Sequence, residues 1–182
     1  MAVLINTIGC TGSGKSHLYK QLKEHIDIEL VEMDLIRKKL TGSISDQSKN
    51  KEVFEQAQRQ ILSSLKHDKI VFNSATNLGM GNLLKSIEYF ISKIPNIEVV
   101  LIYMMDSLSK DLCHQRVVDD FDQGKERSDT RDQSIVDKHY NRFVEMRKEH
   151  NKPAELYPDC VSVFDYYGSD QEIQNIVDLI DS

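Results

Sequence analysis

The chain has 182 residues, 40% of them hydrophobic, enough for one ordinary domain with a real core and too few for a second full domain. Its net charge of −6 has the wrong sign for a protein that coats nucleic acid, so any such contact must be local. No run of about eighteen apolar residues occurs, and the first apolar stretch lacks a basic leader or a small-residue cleavage site, which excludes a membrane span and predicts a soluble, unsecreted protein.

Three widely spaced cysteines, Cys10, Cys113 and Cys160, suit reduced thiols in a cytosol. The six histidines form neither a His-Glu-x-x-His nor a Cys-x-x-Cys pattern, so no transition-metal site is expected.

In chain order, residues 2–8 form a short apolar run of the kind buried on both faces of a parallel sheet. A glycine-rich turn follows, then a helix over 15–25. Further apolar runs at 28–33, 70–72, 99–104 and 161–164 alternate with helical spacing at Val53, Ala57, Ile61 and Leu65, and at Leu83, Ile87, Phe90 and Ile94. That alternation predicts βαβ units with a mainly parallel sheet. Ser169 with Glu172 resembles a capping box and opens a last helix. The segment 107–150 breaks the alternation. It reads as two helices, 107–121 and 132–149, joined by the polar hinge "DQGKERSDTRD", the composition of a lid or binding loop. The loop 41–51 reads as chemically plain.

The turn is a full Gly-x-x-x-x-Gly-Lys-Ser match, Gly9 through Ser16, between a strand and a helix. Gly9, Gly12 and Gly14 let backbone amides close on a phosphate, with Ser13 and His17 alongside; the helix starting near Lys15 adds its positive end. Lys15 is expected to reach the β- and γ-phosphates and Ser16 to ligate Mg²⁺. The reading is therefore a nucleotide triphosphate site using ATP and Mg²⁺. Cys10, beside Lys15 and a helix N-terminus, is expected to be unusually modifiable.

After the second apolar run, Asp34 and Arg37 stand three apart, on one helical face at the carboxyl edge of the sheet. There Asp34 can accept a proton from an attacking hydroxyl, and Arg37 can hold an anionic group. The same residues suit a plainer reading, Asp34 as N-cap of a helix at 35–40 and Arg37 as a surface charge.

"TIGCTGSGKS", "MDLIR" and "SATNL", in that order and spacing, resemble the P-loop kinases that include phage polynucleotide 5′-hydroxyl kinases. The similarity covers roughly residues 2–150. It implies a P-loop NTPase three-layer α/β sandwich, about five mainly parallel strands flanked by helices with a helical lid near 107–150, in a single kinase domain spanning 1–182. It also implies transfer of the ATP γ-phosphoryl group to a hydroxyl of DNA or RNA, with Asp34 as general base, Arg37 on the acceptor phosphate and Arg127 clamping the transferred group. Arg116 and Arg131 are the competing lid candidates. A hydroxymethylated base in DNA, a small-molecule alcohol or a non-kinase switch are the alternatives. The expected setting is the cytoplasm, that of a host cell if the gene is phage-borne.

One departure concerns strand three, which reads Asn73, Ser74, Ala75, Thr76, Asn77 where the resembling enzymes carry an aspartate. Ser16 with water or nucleotide oxygens is then the expected metal shell. Asn77 remains an acceptor-site candidate at a strand end.

Overall fold

The computed structural model describes residues 1–127 and 131–181. In chain order the elements are β1 (Val3–Ile8), α1 (Lys15–Lys23), β2 (Ile28–Val31), α2 (Met33–Thr41), α3 (Asn50–Leu65), β3 (Ile70–Asn73), α4 (Met80–Ile91) and β4 (Glu98–Met104). A 3₁₀ turn (Met105–Leu108) leads to α5 (Lys110–Asp122), α6 (Gln133–Lys148), α7 (Lys152–Leu156), β5 (Val161–Tyr166) and α8 (Asp170–Asp181). The strands make one sheet in the order β2-β3-β1-β4-β5, and every pairing is parallel.

β1 lies at the centre and all six of its residues are buried. This is why its sequence is nearly continuous in apolar residues instead of alternating. Its two faces feed two cores. Leu4 and Ile8 pack with Val53, Ala57, Ile61, Ile87 and Phe143 on one side. Val3 and Ile5 pack with Leu18, Leu22, Ile173 and Ile176 on the other. The result is a sheet between two helical layers, as expected from the alternating pattern.

The periodic helices bury the side chains their spacing selects: Leu18 and Leu22 on α1, Val53, Ala57, Ile61 and Leu65 on α3, Leu83, Ile87 and Phe90 on α4. Each fully buried leucine or isoleucine contributes about 1.5–3 kcal/mol relative to exposure. The capping box at α8 forms as expected: Glu172 N donates to Ser169 Oγ at 3.3 Å and Ser169 N donates to Glu172 Oε2 at 2.9 Å.

Several boundaries differ from the expectation. Residues 107–109 do not begin α5, because the 3₁₀ turn intervenes and Ser109 Oγ then caps the helix by accepting from Leu112 N. The short α7, with a proline in its first turn, follows no apolar period and was not expected. Glu32, not Asp34, is the N-cap residue of α2, so the plainer reading of Asp34 as a cap is wrong. Asp34 sits inside the first turn, where its charge favours the helix dipole. Within the polar hinge 122–132, positions 128–130, including Asp129, lie outside the described residues.

Candidate active site

The glycine turn leaves β1 at the carboxyl edge of the sheet and runs into α1, the place where open α/β sheets receive ligands. Two of its glycines are required by contact. Gly12 has φ +76°, and a Cβ there would lie 2.2 Å from the Cys113 carbonyl oxygen on α5. A Cβ on Gly9 would lie within 2.8 Å of Ser13 Oγ, Met104 Cβ and Ser107 Oγ. The turn is thus clamped between α5 and the start of the 3₁₀ segment. Buried Ser107, which no motif marks, accepts from Cys10 N at 2.8 Å and pins the turn from below. Lys15 folds back over the turn and donates to the carbonyls of Cys10 (2.5 Å) and Gly9 (3.2 Å).

Cys10 is fully buried, and burial raises its thiol pKa despite the Ser107 hydrogen bond and the nearby Lys15 charge. The expectation of a readily modified Cys10 is therefore wrong: desolvation of the thiolate outweighs the cation beside it.

Residues Thr11 to His17 line a cleft of about 1330 Å³ whose opposite walls come from α2, α3, α4 and the lid. Gly12, Ser13, Gly14, Lys15, Ser16 and His17 border the cleft, whereas Gly9 is not among its lining residues.

On the acceptor side, Asp34 and Arg37 also border the cleft. An Arg37 guanidinium nitrogen bonds the Asp34 carboxylate directly; the same group donates to the Ile44 carbonyl (3.3 Å) and to Asn50 Oδ1 (3.4 Å). Arg37 is 7% exposed, so the reading of it as a surface charge is wrong. The loop 41–51 is likewise not plain, since it supplies part of the Arg37 cage. Glu32, two residues before Asp34, shares the cleft; burial and the Asp34 charge raise its pKa. Beyond this pair the wall is formed by Phe54 and Gln58 of α3 and Asn82 and Ser86 of α4.

At the end of β3, Asn73 Nδ2 donates to Asn6 Oδ1 on β1 at 2.7 Å. Asn73 Oδ1 and Asn6 Nδ2 are buried without a hydrogen-bond partner among the described residues. Asn77 adopts φ +49° and spends its Nδ2 on the Thr7 carbonyl at 2.8 Å, tying the β3–α4 loop to β1. It borders the cleft, with its amide donor already committed.

The lid arginines separate. Arg127 donates to Asp120 Oδ2 and to Thr11 Oγ1, both at 2.5 Å, and so reaches the phosphate turn. Arg116 donates to Asp106 Oδ2 (2.8 Å) and to the Gly12 carbonyl (3.2 Å). Arg131 instead pairs with Asp122 at 2.7 Å and lies over the Phe121 ring, outside the cleft; its candidacy as a lid residue of the site is not supported. Two cleft residues of α6 carry no motif and were missed: His139, whose Nδ1 accepts from Thr11 N at 3.3 Å, and Arg142. Lys38 of α2 meets Glu126 of the lid at 2.6 Å, bridging the acceptor side to the hinge.

Among the described residues, no helix is long and apolar enough to cross a membrane, and no cluster of three metal-binding side chains exists. The Ser16 hydroxyl at the start of α1 borders the cleft and, with no carboxylate cage among the described residues, fits a hydrated divalent cation held chiefly through a nucleotide.

Comparison with known proteins bears on the fold. A family model described as an AAA domain matches residues 4–83. No curated protein sequence matches significantly. Among solved structures, a candidate kinase from Chloroflexus aurantiacus superposes with a TM-score of 0.63 at 14% identity, covering 98% of this chain and 96% of that one. Deoxyadenosine kinase from M. mycoides gives 0.53 at 14%, covering 98% and 99%, and shikimate kinase from Acinetobacter baumannii 0.53 at 14%, covering 97% and 89%. With the phosphate turn at 9–16 and a five-stranded parallel sheet between helices, the chain has the three-layer fold of P-loop NTPases.

Proposed function

We propose that the protein is an ATP-dependent kinase that transfers the γ-phosphoryl group to a hydroxyl at the end of a nucleic acid. The observation that carries this reading is that the phosphate turn and the Asp34–Arg37 pair border one cleft, so donor and acceptor can meet. The acceptor hydroxyl oxygen attacks the γ-phosphorus and gives its proton to an Asp34 carboxylate oxygen. The bond to the β-phosphate oxygen breaks with its electron pair, and ADP leaves. Arg37 orients Asp34, while Lys15, Arg116 and Arg127 stand around the turn to offset charge on the phosphates. Mg²⁺, when bound with Ser16 and phosphate oxygens, supplies further neutralisation of the β- and γ-phosphates.

A second reading is a kinase of a small neutral alcohol. It is favoured by the acceptor wall, where Phe54, Gln58, Asn82 and Ser86 offer an aromatic face and amide or hydroxyl partners but no cation. The structural likeness to an enzyme named for deoxyadenosine, a neutral nucleoside, also supports it.

Incubation with γ-labelled ATP and, separately, a 5′-hydroxyl oligonucleotide, a duplex carrying hydroxymethylated bases and a nucleoside mixture tests both. Label in the oligonucleotide supports the first reading, and label in nucleosides alone supports the second. Steady ATP hydrolysis with no labelled acceptor rejects a kinase.

A further inference from the structure

Glu126 and Arg127 are consecutive in the hinge, and they grip opposite sides of the cleft. Arg127 reaches Thr11 of the phosphate turn. Glu126 turns to the acceptor side, where Lys38 of α2 donates to its carboxylate at 2.6 Å and the Ile44 backbone supplies a further bond. The Ile44 carbonyl in turn accepts from Arg37, the side chain that bonds the Asp34 carboxylate. Thr41 Oγ1 donates to the Ser43 carbonyl at 2.7 Å, folding the start of this loop onto the end of α2. One unbroken run of contacts therefore leads from the hinge through Ile44 and Arg37 to Asp34.

We propose that Glu126 is a positioning residue for phosphoryl transfer: it latches the lid to the acceptor side, so that Arg127 reaches the phosphate turn while the Ile44 and Arg37 support of Asp34 is in place. This rests on the kinase reading above and adds how the two halves of the site are brought together. Transfer needs both halves at once, since its rate comes from alignment and from cations held where water cannot enter. With the latch open, ATP is left to water in place of the acceptor hydroxyl. The strength of the contact suits this role. The Lys38 and Glu126 side chains are 53% and 50% exposed. A pair so exposed shifts an equilibrium by only about two- to fivefold, and salt weakens it. A latch of that strength favours closure and still lets product leave in each turnover, whereas a tightly held buried pair would keep the lid shut.

The experiment measures labelled acceptor formed per ADP released, with γ-labelled ATP and, separately, a 5′-hydroxyl oligonucleotide and a nucleoside mixture. Glu126→Ala removes the Lys38 pair and the Ile44 bond. It should lower this ratio about three- to tenfold at low salt, while ATP affinity, read by titration, stays within about threefold. Exchange of the charges, Lys38→Glu with Glu126→Lys, restores the pair without the Ile44 bond and should recover part of the ratio that either single change loses. Raising salt to about 0.5 M should bring the native ratio down toward that of Glu126→Ala and leave the variant nearly unmoved. An unchanged ratio in Glu126→Ala overturns the inference and leaves the kinase reading standing. So does an equal loss of transfer and hydrolysis, which marks a fold defect alone, or an exchanged pair that recovers nothing. ADP release by the native protein with label in neither acceptor overturns the kinase reading itself.

Discussion

Arg37 bonds the Asp34 carboxylate from one turn further along α2, and both side chains face the cleft that the phosphate turn enters. The ion pair holds the carboxylate in one orientation, and the Arg37 cage of Ile44 and Asn50 holds the arginine. Asp34→Asn keeps a hydrogen-bond acceptor for Arg37 and removes the proton acceptor. Transfer should fall about 10²- to 10⁴-fold while ATP affinity is nearly unchanged, read by single-turnover kinetics beside nucleotide titration. A parallel collapse of ATP binding would assign Asp34 to the metal or the fold.

Gly12→Ala should be among the most damaging single-methyl changes. The new Cβ meets backbone, the Cys113 carbonyl, at 2.2 Å, and φ +76° strains any side-chain-bearing residue. Stability should drop by about 1–3 kcal/mol in denaturant melts and nucleotide binding should be lost. Gly124→Ala is the control for φ alone, since its φ of +71° is similar but no described residue lies within 4 Å of the added carbon.

Arg127 and Arg131 lie in the same hinge and should behave oppositely. Arg127→Ala removes a cation in contact with Thr11 and should slow transfer about a hundredfold, whereas Arg131→Ala removes an exposed pair with Asp122 and should leave transfer within about twofold. Equal losses in both variants would place Arg131 in the active site after all.

Thiol reactivity should follow exposure. Cys10 and Cys113 are fully buried, and burial raises the Cys113 pKa to about 12; Cys160 is partly exposed, and its pKa is raised too. Alkylation of native protein near pH 8, followed by peptide mass mapping, should label Cys160 first, with Cys10 and Cys113 reacting only on unfolding.

Two carboxylates should give opposite pH signatures. For Asp120, burial pushes the pKa up, but the bonds from Lys125 and Arg127 outweigh it and hold the folded value below the ordinary range. Its stabilisation is then fully present above the unfolded value of about 4 and is lost as pH falls through the folded value. Asp120→Asn should be less stable at pH 7 and show a shallower loss on acidification. Glu32 is raised by burial and by Asp34, so its charge opposes folding at neutral pH and the cost is relieved as pH falls through its folded value. Glu32→Gln should therefore be more stable than the native chain at pH 7. Urea melts at pH 7 and pH 4 distinguish the two signs.

The sequence alone determined the alternation of strands and helices, the phosphate turn and the pairing of Asp34 with Arg37 on one helical face. These rest on short continuous apolar runs, on the 3.6-residue period of the helices and on a turn whose glycines are forced by backbone geometry. It did not determine that Cys10 is sealed off, because that depends on Ser107, ninety-seven residues away, and on desolvation that no neighbour in sequence reveals. Nor did it separate Arg127 from Arg131: both lie in one polar hinge, and only packing of the lid against Thr11 turns the first inward while Asp122 and Phe121 hold the second outside. His139 and Arg142 carried no signal, since polar residues on an exposed-looking helix read as a solvated face until α6 is folded over the sheet edge. The parts of the site within one helix or turn were legible in the chain; those that need two distant segments to meet were decided by the tertiary structure, where burial and partner charges set each side chain's chemistry.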